Sequence, residues 1–215
     1  MKYLKSWAFK SVFIVLLSLF LIPVQAFTAQ SDTPNFDALK SEFENNNVFV
    51  SDFSHQYEDA FTGETESAEG KIWIAKERYK VEGSSQLMVV DEDISRVYDG
   101  NKNRVIISDY VEEEDDFAPS RMLQGVDDSY SVEESVGENG AATVTLSSDD
   151  PFSIFKTVTI QLNESGDPVE IRAIDQADNS ITTRFDNGGF TQPSADLFEM
   201  DVPEGAERVD LRHGS

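Results

Sequence analysis

Residues 157–185 read TVTIQLNESGDPVEIRAIDQADNSITTRF. Val158, Ile160 and Leu162 alternate with polar neighbours, and Val169, Ile171 and Ala173 do the same, as do Ile181, Thr183 and Phe185. A period of two puts one set of side chains on one face of an extended strand. Between the runs stand Ser165-Gly166-Asp167 and Asp178-Asn179-Ser180, residue types that reverse the chain. The segment predicts three successive antiparallel strands, each with one apolar face.

The same grammar extends in both directions. Phe49, Ser51, Phe53, His55 and Tyr57 share a face, Ile72 and Ile74 alternate with Lys71 and Trp73, and Val105 and Ile107 alternate with Arg104 and Ile106. Val144/Leu146 and Phe198/Met200/Val202 continue the pattern, and further turn signals fall at Thr62-Gly63, Asp99-Gly100-Asn101, Glu138-Asn139-Gly140 and Asn187-Gly188-Gly189. The sum is a mainly β fold, an antiparallel sheet of about ten or eleven strands and large enough to curl. Two stretches break the period. Phe36, Leu39 and Phe43 are spaced as one face of a short helix ending near Asn45-Asn46-Asn47. Pro119 to Gly125 has proline and glycine where a brief helix begins and ends.

The N-terminus has a different character. Lys2, Lys5 and Lys10 precede an apolar run from Ser11 to Val24, and Val24-Gln25-Ala26 suits cleavage. The run is shorter than the ~20 residues that a membrane span needs. Residues 1–26 therefore read as a signal peptide, leaving 27–215 as a single exported domain, periplasmic in a bacterium. The 215 residues hold 17 Lys+Arg against 41 Asp+Glu, a formal charge of −24, and no cysteine. That balance excludes nucleic-acid binding and a stable seat on anionic lipid. Without cysteine there is no disulfide scaffold, thiolate metal site, thiol nucleophile or acylated N-terminal anchor.

Catalytic options are poor. The two histidines are His55, on a strand, and His213, near the end of a polar tail. No nucleophile elbow accompanies His55, and among so many acids no carboxylate pair stands out. An exported hydrolase using His55 or carboxylates is the weakest of the readings. The run Glu112 to Asp116 lacks calcium-loop spacing and reads as a solvated face, so no metal is expected. What remains is shape: an apolar sheet face with helices over it. Candidate cavity residues are Phe53, Trp73, Tyr79, Val81, Leu87, Met88, Val90, Tyr98 and Ile106; all would serve equally well as core. Phe117, Pro119, Met122 and Leu123 are the candidate lid.

The strand motifs together resemble a known family. Phe53-Ser54-His55-Gln56, Gly70-Lys71-Ile72-Trp73-Ile74 and Tyr79-Lys80-Val81-Glu82 are similar to the opening strands of the outer-membrane lipoprotein carriers, the LolA-type periplasmic chaperones. Val89-Val90-Asp91 leading to Val97-Tyr98-Asp99, Ala118-Pro119 followed by Met122-Leu123, and the closing Phe198-Glu199-Met200-Asp201-Val202-Pro203-Glu204-Gly205 resemble later motifs of that family. The likeness spans residues 36 to 210. It implies an incomplete, strongly curved barrel capped by short helices, a non-enzymatic monomer without cofactor. Its cavity would take the acyl chains of lipoproteins released by an inner-membrane ABC transporter and pass them to an outer-membrane acceptor. The same cavity could instead carry other lipids or glycolipids. Family members latch the lid through a basic residue, for which Lys76 and Arg78 are the candidates.

Overall fold

The alternating runs become strands in the computed structural model, which describes residues 31–111, 115 and 119–212. In the unit beginning at Ser31, helix α1 (Pro34–Glu44) leads into β1 (Val48–Glu58), β2 (Thr65–Ile74) and β3 (Arg78–Gly83). Next come β4 (Gln86–Asp91), β5 (Ile94–Asp99), β6 (Arg104–Asp109) and helix α2 (Pro119–Gln124). Then follow β7 (Ser131–Val136), β8 (Ala142–Ser147), β9 (Phe155–Leu162), β10 (Pro168–Asp175), β11 (Ser180–Thr191) and β12 (Glu207–Asp210).

All twelve strands join one curved, open sheet in the order β12-β6-β5-β4-β3-β2-β1-β11-β10-β9-β8-β7. β1 pairs with β11, so two antiparallel meanders meet at the middle of the sheet. β12 alone runs parallel, beside β6. Phe198/Met200/Val202, expected as a strand, instead form a 3-10 turn (Ala195–Phe198) and an irregular segment. Phe198 and Met200 find apolar partners while Val202 is exposed, and their backbone joins no ladder.

Registers define the two faces. The face that α1 and α2 cover, here the inner face, carries Phe49, Phe53, Ile72, Ile74, Val144, Leu146, Val158, Ile160, Ile171 and Phe185. Phe36, Leu39 and Phe43 of α1 and Met122 and Leu123 of α2 pack into the same cluster. Phe49 meets Phe185 edge to face at 5.3 Å, and Phe43 meets Phe190 likewise. A partner strand fixes the start of α1. The Glu134 carboxylate on β7 accepts the Asn35 and Phe36 backbone N–H groups, each at 3.0 Å, placing negative charge at a helix N-terminus.

On the outer face a smaller cluster joins Val48, Ala75, Val89 and Phe198 with Trp73, Leu197 and Met200. Lys71 and Lys80 lie over the Trp73 ring, and Arg78 lies over that of Phe198 at 4.4 Å. The chain between β11 and β12 thus straps the back of the sheet.

Phe53 on β1 faces Gly70 on β2, which faces Gly83 on β3. A Cβ on Gly70 would stand 2.0 Å from the Glu82 carbonyl oxygen. Glycine therefore permits the close backbone approach of β2 and β3 at this point. Gly70→Ala should lower unfolding free energy by at least about 2 kcal/mol, read by urea denaturation; an unchanged midpoint would contradict the close approach.

Candidate functional site

Cross-strand pairing lines up one row of side chains on the inner face. Val81 pairs with Met88, Met88 with Val97, Val97 with Ile106, and Ile106 with Val209. Five apolar side chains on adjacent strands form a strip roughly 19 Å long at about 4.8 Å per strand. All five are half-buried, unlike Ile72, which continues the row at the sheet's centre and is fully buried. The difference is cover. α1 and α2 lie over the central strands, whereas the strip runs outward from α2 toward the β12 edge.

Phe53, Tyr79, Val81, Met88, Val90 and Ile106 share the inner face; Trp73, Leu87 and Tyr98 lie on the outer face. Trp73 sits there between two lysines, and the Tyr98 hydroxyl donates to Asn103 Oδ1 at 3.0 Å. The expected lining is thus divided between two surfaces. Val97 and Val209 complete the inner strip; their membership depends on register, which no local motif announces.

Helix α2 is held from three directions. Pro119, Met122 and Leu123 are buried, and Met122 and Leu123 reach the cluster that contains Phe36. Gly125 ends the helix at φ +113°, where an added Cβ would touch the Phe36 ring. Val126 follows at φ +62°, unusual for a β-branched residue. Gln124 Nε2 donates to the Lys76 backbone carbonyl at 2.9 Å, tying the helix to the β2–β3 turn. The Lys76 side chain is exposed and Arg78 faces the outer strap; among the described residues Gln124 ties α2 to the β2–β3 turn. Phe117 lies outside the described residues.

The approach to α2 is pinned by an acid. Asp115 Oδ2 accepts the Tyr79 hydroxyl at 2.5 Å and the Tyr110 hydroxyl at 2.9 Å. Tyr79 is 1% exposed; burial first, and the Asp115 carboxylate second, push its phenol well above the ordinary value, so it stays a donor. Beside this contact an opening of about 630 Å³ is lined by Tyr79, Val90, Tyr110, Ser120, Arg121 and Gln124, among others. A second, of about 790 Å³, lies at the far end between His55, Tyr57, Ile154, Phe155 and Ile181. Between them α1 and α2 fill the middle of the inner face with their own side chains. His55 Nδ1 lies 2.9 Å from Thr183 Oγ1, and burial pushes the imidazole pKa down, favouring the neutral ring.

Two outcomes follow. Asp115→Ala should speed amide exchange at Met122 and Leu123 at least about tenfold and cost about 1–2 kcal/mol of stability; unaltered exchange would sever Asp115 from α2. His55 binds a proton less readily folded than unfolded. Its contribution to stability is therefore complete above the ordinary imidazole value of 6.5 and is lost as pH falls through the lower folded value. His55→Gln should flatten the dependence of unfolding free energy on pH between about 7.5 and 5; identical slopes would contradict this.

The sequence matches the family model described as outer membrane lipoprotein carrier protein LolA over residues 44–201. No curated protein matches it. Among solved structures it is similar to an uncharacterized conserved protein from Thermus thermophilus. That similarity has a TM-score of 0.52 and 14% identity, over 84% of this chain and 99% of that one, and shows a shared fold. A LolA superfamily protein from Nitrosomonas europaea aligns at TM-score 0.43 and 7% identity, over 80% of this chain and 99% of that one.

Proposed function

Because the chain belongs to the outer membrane lipoprotein carrier protein LolA family, we propose that it carries lipoproteins between membranes, holding their acyl chains against the inner-face strip. The observation that supports this reading most is the half-buried row Val81–Met88–Val97–Ile106–Val209 beside a short helix. It offers an alkyl chain a continuous apolar track across five strands.

The energetics favour exchange of cover. Transfer of a sixteen-carbon chain from water is worth about 12 kcal/mol at about 0.8 kcal/mol per methylene. Burial of Met122 and Leu123 is worth about 1.5–3 kcal/mol each. An acyl chain entering beside α2 can displace those two side chains and still gain. On release Met122 and Leu123 return to the central cluster, so the middle of the inner face is covered again. The basic, then apolar, then small-residue pattern of residues 1–26 supports export to the periplasm. There the carrier would load at an inner-membrane ABC transporter and unload to an outer-membrane acceptor, acting as a monomer.

The test is release of radiolabelled lipoprotein from spheroplasts by the purified protein, with mass spectrometry of what co-purifies. The wild type should release lipoprotein and retain triacylated polypeptide. Val97→Asp, at a half-buried position of the strip, should reduce release at least about tenfold while the urea midpoint shows the fold retained. Release unaffected by Val97→Asp and by Ile106→Asp would overturn the strip as the acyl site. Free phospholipid in place of lipoprotein would identify a carrier of other lipids.

A further inference from the structure

Two phenylalanines stand almost wholly in water: Phe61 is 98% exposed and Phe152 is 93% exposed. They belong to the β1–β2 hairpin and the β8–β9 loop, far apart in sequence. Both segments hold the same β10–β11 turn. The Ala60 N–H donates to Asn179 Oδ1 at 2.9 Å, Gln176 Nε2 donates to the Asp150 carbonyl at 3.4 Å, and Lys156 pairs with Asp178 at 2.6 Å. The two rings therefore occupy one rim of the sheet. That rim bounds the opening of about 790 Å³ that leads to His55 and Tyr57 on the inner face.

The rings are presented by ordered turns. Asp59 Oδ1 accepts the Phe61 N–H at 2.9 Å and the Thr62 N–H at 2.7 Å; Asp150 Oδ1 accepts the Phe152 N–H at 2.9 Å. The ordered backbone of each turn holds its ring out toward solvent, and aromatic anchors dominate protein interfaces. Around them lie Asp59, Glu64, Asp149, Asp150, Asp175 and Asp178, with Lys156 already paired to Asp178. Such a rim is repelled by anionic lipid and by a second copy of itself, and attracted by a basic surface.

We propose that this rim docks a partner protein whose contact surface offers apolar sockets for Phe61 and Phe152 within a ring of lysine and arginine. The proposal rests on the carrier reading, since docking here would bring the partner to the inner face, across α1 and α2 from the acyl strip.

The test uses cells that naturally express the full chain, with a photo-crosslinking phenylalanine analogue at position 61, at 152, or at Val136 on the β7 edge as an exposed control. Both rim positions should trap the same protein, identified by mass spectrometry through Lys/Arg-rich contact peptides, and Val136 should not. The Glu64→Lys, Asp149→Lys double variant should reduce the adduct at least tenfold. Purified protein should not float with vesicles of phosphatidylethanolamine and phosphatidylglycerol. No adduct at either rim position, different proteins at the two, or adducts indifferent to the charge reversal would overturn the proposal. Vesicle binding lost in Phe61→Ser, Phe152→Ser would overturn it in favour of a membrane. Acyl binding by the purified wild type is measured in parallel. Its failure would remove the carrier reading, while the adducts would still decide the rim.

Discussion

An open sheet with an apolar inner face must cover that face or lose it to water, and everything distinctive here follows from how the cover is divided. The central strands lie under α1 and α2, whose Phe36, Leu39, Phe43, Met122 and Leu123 complete one cluster. The outer strands β3 to β6 and β12 keep a row of half-covered side chains. A fully covered sheet would be a stable protein with nothing to bind, and a bare one would aggregate. Partial cover by a short helix lies between these extremes.

The two helices are anchored differently. α1 buries three large side chains over eleven residues, and the Glu134 carboxylate meets its N-terminal amides. α2 has six residues, two of them large apolar side chains in the cluster, and is tied by Gln124 to a backbone carbonyl and through Asp115 to two tyrosines. Those ties are hydrogen bonds, each worth about 1 kcal/mol net, or up to about 3 where a charge is involved. They add to the burial of Met122 and Leu123 in holding the helix against the inner face. On the sheet, the glycine pair Gly70 and Gly83 leaves no side chain between Phe53 and β3 and lets β2 and β3 approach closely.

Much of this was legible in the sequence. Alternation and turn chemistry marked the strands from Val158 to Phe185, the spacing of Phe36, Leu39 and Phe43 marked α1, and Pro119 with Gly125 bracketed α2. β12 escaped because Glu207–Asp210 is short and polar and pairs parallel to a strand about a hundred residues earlier. Facing was the harder matter. Leu87-Met88-Val89-Val90 is apolar without alternation because the strap covers the outer face there while the helices cover part of the inner one. Trp73, Leu87 and Tyr98 therefore read as lining although they face outward. The Gln124 tie left no trace in sequence, since its acceptor is a backbone carbonyl.

The proposed carrier function requires the acyl chain to lie along the inner row. Its most direct measurement is the pattern of nuclear Overhauser contacts between a triacylated lipopeptide and the methyl groups of the otherwise deuterated protein. The chain protons should contact Met88, Val97 and Ile106, with none to Leu87 or Val89 on adjacent positions of the opposite face. Contacts to Leu87 and Val89 in place of that row, or bound lipopeptide touching neither set, would contradict it.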